Sequence, residues 1–213
     1  MALSSNKKRE KEILDYIKSE SKKRKWQFRG WQSFKIEEPF LITVSFKPWG
    51  KDNSLKAHLN FKPKDLDNLH CEITGEEDYF KNGPLYYKVN SFGMVRPYNY
   101  YEWEVNDVRE NKINNLLNEI DIKTAKLVCD LSDLEKHYEF VKAKREKQTQ
   151  FAENQYLTTL IYLKKYDELM ARIKTFKENN NGLSMVTIHL NNPELDKKSF
   201  YDKLIDYVDK QHS

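Results

Sequence analysis

The sequence predicts an α+β fold: an N-terminal helix, an antiparallel β-meander sheet, and C-terminal helices packed on or beside the sheet. Three observations predict it. Phe40, Ile42, Val44 and Phe46 alternate with Leu41, Thr43, Ser45 and Lys47, and Leu55, Ala57, Leu59 and Phe61 repeat the pattern one run later. A period of two puts each apolar set on a single sheet face. Ile113, Leu116, Leu117 and Ile120 then recur at helical spacing, the stripe of a core-facing helix. The change of pattern falls near Val105, so one α+β domain over 1–213 is expected, with a helix and meander in 1–105 and a mainly helical part in 106–213.

Ser4-Ser5-Asn6 offers caps for a helix over 7–23, in which Ile13, Leu14 and Ile17 form a narrow apolar stripe suited to a sheet surface. The sheet is expected to begin at Trp26 and to run through Phe28 and Gly30, with Trp31 to Ile36 continuing it. Glu37-Glu38-Pro39 is a tight connection, because the residue before a proline is pushed out of the helical region. The strands 40–47 and 55–62 follow, with turn chemistry in Trp49-Gly50-Lys51-Asp52-Asn53 between them. After Pro63, residues 64–69 read as a helical turn or crossover into His70-Cys71-Glu72-Ile73. Gly75 to Gly83 reads as a loop, Leu85 to Val89 as a short strand, and Tyr98 to Val105 as an aromatic strand.

In the second half, Asp107 with Glu110 resembles a capping box ahead of the Ile113 stripe. Asp133 caps a helix expected to bury Leu134, Tyr138 and Val141. Tyr156, Leu157, Leu160 and Ile161, then Tyr166, Leu169, Met170 and Ile173, form two stripes joined at Lys164-Lys165, the layout of a helical hairpin. Asn179 to Gly182 reads as a helix end, and Val186, Ile188 and Leu190 as a short strand. Pro193 and Ser199 compete as the start of a last helix carrying Phe200, Leu204, Ile205 and Val208.

A segment of this kind is familiar. A helix is followed by the aromatic Gly30-Trp31 strand, a strand ending SFKPW, and a third strand running into FKPKDLDNLHCEI. The pattern, from Lys11 to about Trp103, resembles an uncharacterised bacterial domain-of-unknown-function family, many of whose members carry Trp where this chain has His70 or Cys71. The resemblance implies an α+β fold and no particular activity. Because some members look like products of accessory or toxin-immunity loci, it also implies a protein-binding role.

Composition limits the function classes. A 33% charged share is high, yet 13% aromatics is more than disordered chains carry. A net charge of +4 is mild for a dedicated nucleic-acid binder. No run reaches the ~18 apolar residues of a membrane span. Cys71 and Cys129 stand far apart, and with the Met1 start and no apolar leader they point to the cytoplasm.

No nucleophile–base pair, HxxxH or Gly-rich phosphate loop is legible, so neither cofactor nor metal is expected and an enzyme is the weaker expectation. Glu119-Ile-Asp121-Ile-Lys123 contains an acidic-x-Lys unit of the kind that could serve a metal-dependent nuclease, although such units are frequent in a chain this charged. The leading expectation is a non-enzymatic protein that binds another protein. The expected surface is the aromatic run Tyr98, Tyr100, Tyr101 and Trp103, with Tyr100 facing away from Tyr101, together with His58 on the mixed second face of the hairpin. That face also carries Leu41, Thr43, Ser45, Lys56 and Asn60. The alternative is nucleic-acid binding through the basic block Lys22, Lys23, Arg24 and Lys25 at the end of the first helix.

Overall fold

The structure, a computed structural model, describes residues 4–75, 95–145, 152–178 and 199–211. These fall into two compact units. The expected strands at Leu85 to Val89 and at Val186 to Leu190, the acidic loop beyond Gly75, the helix end at Asn179 to Gly182 and the Pro193 start lie outside the described residues.

The first unit is built on a five-stranded antiparallel meander, β1 (Gln27–Arg29), β2 (Gln32–Glu37), β3 (Phe40–Trp49), β4 (Ser54–Pro63) and β5 (Tyr98–Asn106), in that order across the sheet. The alternation on β3 and β4 is resolved as the sequence predicts. Ile42 faces Phe61, Val44 faces Leu59 and Phe46 faces Ala57, and all six are buried. A helix α1 (Ser5–Lys23), capped by the Ser4 hydroxyl accepting from the Lys7 amide, buries Ile13 and Ile17 against this face. Helix α3 (Glu110–Leu131) buries Ile113, Leu116, Leu117 and Ile120 on the same side.

The stretch from Trp26 to Ile36 departs from expectation. It is a hairpin of two strands rather than one interrupted strand, with Gln27 opposite Phe34 and Arg29 opposite Gln32. Gly30, at φ +61, occupies the left-handed region that an L side chain resists, and there the chain reverses. Helix α3 also starts differently. Asp107 is in the left-handed region, paired with Arg109 at 2.8 Å, and the helix begins at Glu110 without a side-chain cap.

The second unit holds α2 (Leu66–Thr74), the greater part of α4 (Leu134–Arg145), α5 (Ala152–Tyr162), α6 (Tyr166–Glu178) and α7 (Phe200–Gln211). His70 and Cys71 therefore lie on a helix, and both are buried. Their helix ends at Gly75, whose left-handed backbone lets its N–H reach the Cys71 carbonyl at 2.8 Å. The Asp133 cap is as expected, its Oδ1 accepting from the Glu135 and Lys136 amides. The buried face of α4 is different: His137 and Val141 are covered while Leu134 is exposed.

α5 and α6 form the expected hairpin through Lys164, with Met170 left at the surface while Leu169 and Ile173 are buried. Of the two rival starts for α7, Ser199 caps it, its hydroxyl accepting from the Asp202 amide at 3.2 Å. Phe200, Leu204 and Val208 are buried as expected, with Tyr201 beside them. Glu153 accepts from Arg145 at 3.2 Å and from Arg172 at 2.8 Å, and Glu168 accepts from the hydroxyls of Tyr138 and Tyr156. Burial opposes the Glu168 charge, but those two phenols and the nearby Lys142 and Arg145 hold its carboxyl below the usual range.

Candidate functional site

The face of the first unit's sheet opposite α1 and α3 carries the polar positions of the alternation. Strand register sorts them into cross-strand rows. Gln32, Ser45 and His58 stand in one row and continue to Glu102; Phe34, Thr43 and Asn60 stand in the next and continue to Asn99. Because each row is offset by two residues from its neighbour, every member points to the same side.

These rows line a concavity of about 300 Å³. Its described walls are Trp31, Gln32, Thr43, Ser45, Lys47, His58, Asn60, Arg96, Pro97 and Asn99. The floor is buried yet polar: Thr43 is 2% exposed and Ser45 8% exposed. The rim is wetter, with Trp31 42% exposed and Lys47 and Arg96 at the surface.

Hydrogen bonds orient the lining. The Gln32 amide donates to the Ser45 hydroxyl at 3.4 Å, so that hydroxyl retains its own proton to give. The His58 Nδ1 lies 3.3 Å from Glu102, while Asn60 donates to the His58 carbonyl and Asn99 donates to Glu102. Each asparagine NH₂ thus uses one of its two N–H donors, and the amide oxygens remain as acceptors.

The expected site does not assemble as a whole. His58 lines the concavity, but the aromatic run of β5 lies on the other side of the sheet. A register shift between Leu59 and Asn60 leaves Tyr100 as an extra residue, a bulge that turns its ring towards Phe61 at 6.1 Å. Tyr100 therefore does not face away from Tyr101. Tyr98 is buried beside Phe61 at 6.0 Å, Tyr101 sits under the Lys123 ammonium at 4.4 Å, and the Trp103 indole donates to Glu119 at 2.9 Å. Tyr101 and Trp103 thereby join the sheet to α3.

The basic block is likewise tied into the fold. Lys23 pairs with Glu20, and Arg24 donates to Asn118 at 2.8 Å and lies 3.5 Å from Asp121, whereas Lys22 and Lys25 are exposed. The Glu119-Asp121-Lys123 unit lies within α3, and each member has a structural partner. Asp121 accepts from the Trp26 indole at 2.9 Å, Glu119 from Trp103, and Lys123 covers Tyr101. Among the described residues no group of three His, Cys, Asp or Glu side chains is placed to hold a metal ion, and no helix is long and apolar enough to cross a membrane.

Trp31, Gln32, Arg96 and Asn99 are additions to the predicted site. Gln32 was concealed by reading the β1–β2 hairpin as one strand, and Arg96 and Asn99 reach the concavity only through pairing of β5 with β4. The alternation that sets Thr43, Ser45, His58 and Asn60 on one face was the signal available in the sequence. No protein-family model matches this chain, and no match is found among curated proteins or solved structures.

Proposed function

We propose that this chain is a non-enzymatic, cytoplasmic binding protein that recognises another protein through the polar face of its sheet, in the manner of an accessory or immunity-like factor. One observation carries the reading: cross-strand rows of hydrogen-bonding side chains converge on a concavity walled by a half-exposed indole. Amides and hydroxyls on a rigid sheet, beside an amphipathic aromatic ring, suit recognition by contact and hydrogen bonding. Neither Cys71 nor Cys129 is joined in a disulfide, which fits a reducing compartment.

The test is affinity capture from the host followed by mass spectrometry, with wild type beside Asn60→Trp, which fills the concavity from β4. A partner retained by wild type and lost by a folded Asn60→Trp is expected. A partner held equally by both, or none recovered in repeated captures, would contradict the reading.

A further inference from the structure

We infer that the outer edge of β5 takes a sixth strand from a partner protein, an extended segment in which lysine or arginine alternates with apolar residues. The inference goes beyond the concavity and needs nothing from it. Hydrogen-bond direction along the sheet locates the edge. The Phe46 amide donates to the Trp31 carbonyl at 2.9 Å, so Phe46 bonds towards the β2 side. Successive strand residues bond to opposite sides, and the register carries that parity to Ala57 and then to Trp103. Tyr101, Trp103 and Val105 therefore direct their main-chain groups to β4, and those of Glu102, Glu104 and Asn106 point outwards.

Among the described residues no strand pairs with β5 on that side. The Lys112 ammonium donates to the Asn106 carbonyl at 2.7 Å, at the far end of the strand. The opposite edge of the sheet, β1, is three residues long, and shortness is one way in which natural sheets blunt an edge. The stretch 101–106 has no proline, glycine or lysine to serve the same end. Its only charges are Glu102 and Glu104, and they choose the occupant.

Side chains directly opposite on neighbouring strands interact, opposite charges favourably and like charges unfavourably. Glu102 and Glu104 keep 63% and 56% of their side-chain surface exposed beside their β4 partners His58 and Lys56, so each carboxylate has room for a second cation. An antiparallel copy of β5 centred on Trp103 would instead set Glu102 opposite Glu104 of that copy, which disfavours a dimer through this edge. On the face towards α3, Tyr101 and Ile122 are exposed large apolar side chains. Apolar residues of the added strand fall on that face and its cations on the other.

The test uses the full chain and amide hydrogen exchange by NMR. The probe is a capped heptapeptide of alternating lysine and valine, beside the same peptide with glutamate for lysine. Saturable binding of the lysine peptide should slow exchange of the Glu102 and Glu104 amides at least about tenfold, while Trp103 and Val105 are protected before it is added. Glu102→Lys together with Glu104→Lys should weaken binding at least about fivefold. The same charge change at Glu12 and Asp15, both exposed on α1, should weaken it less than about twofold. Asn60→Trp should bind the peptide as wild type does, which separates this edge from the concavity. No binding of the lysine peptide, equally tight binding of the glutamate peptide, unaltered exchange at both amides, equal weakening by the two charge variants, or loss of binding in a folded Asn60→Trp would each overturn the inference.

Discussion

The imidazole of His137 meets the ring of Phe40 edge-on, with centroids 5.6 Å apart and planes at 77°. Phe61 lies 5.8 Å from the imidazole and 5.2 Å from Phe40, so the three rings form one cluster. An imidazole among phenyl rings is costly to charge, and burial lowers its pKa from 6.5 to about 4. The unfolded chain therefore takes up this proton before the folded one does. The neutral histidine's contribution is complete above pH 6.5, declines as pH falls from there to about 4, and is fully lost below. The loss is about 3 kcal/mol. Urea unfolding at several pH values should show it, and His137→Leu should flatten the slope between those two limits. An unchanged slope in the variant would contradict this origin.

Asp121 joins α1, the sheet and α3, accepting from the Trp26 indole at 2.9 Å and lying 3.5 Å from the Arg24 guanidinium. Trp26 is buried, so removing its acceptor strands a donor. Asp121→Ala should lower stability by about 1–3 kcal/mol by denaturant titration. Because this carboxylate is structural, Mg²⁺ should leave the unfolding midpoint of wild type and variant alike unchanged. A midpoint raised by Mg²⁺ in wild type alone would restore the nuclease reading.

Gly50 sits against the first turn of α1, its N–H donating to Glu10 at 3.1 Å. A Cβ there would stand 2.2 Å from the Asn6 carbonyl oxygen. That atom is main chain in a helix and cannot swing aside, so Gly50→Ala must displace α1 or the β3–β4 turn. A loss of roughly 2 kcal/mol or more is expected, the range for overpacking a close contact. A variant as stable as wild type would show that α1 does not rest on this turn.

In the second unit, Glu153 holds Arg145 and Arg172 together while being 8% exposed itself. Glu153→Ala leaves two guanidinium groups facing each other with their shared anion gone. Stability should fall by about 1–3 kcal/mol, less than for a fully buried pair because both guanidinium groups are partly exposed. Glu153→Gln should recover part of this, since its amide oxygen can still accept. Thermal unfolding of the two variants checks the order.

Legibility of the fold followed burial. The 40–62 hairpin was readable because one of its faces is entirely apolar, and a one-residue slip would expose Ile42, Val44, Leu59 and Phe61 together. The β1–β2 hairpin was not, because apolar residues stand on both sides of Gly30 and only its backbone reverses the chain. The extent of α2 through His70 and Cys71 was not legible because the helix is short and shows little more than two helical turns of pattern.

The candidate site was legible to the same extent. Alternation put Thr43, Ser45, His58 and Asn60 on one face. A bulge has no signature in Tyr98 to Trp103, so the aromatic run was assigned to a binding surface that it leaves. Charge counting marked Lys22 to Lys25 as available, although Lys23 and Arg24 are paired through distances that sequence does not carry.

The central claim is that recognition belongs to the polar sheet face and not to the basic end of α1. It is tested most directly by quantitative capture of the partner by wild type, Asn60→Trp, and a variant with Lys22 and Lys25 changed to glutamine. The two lysines are exposed and outside the pairs made by Lys23 and Arg24. The account predicts that Asn60→Trp loses the partner and that the lysine variant retains it. Loss with the lysine variant and retention by Asn60→Trp would contradict it.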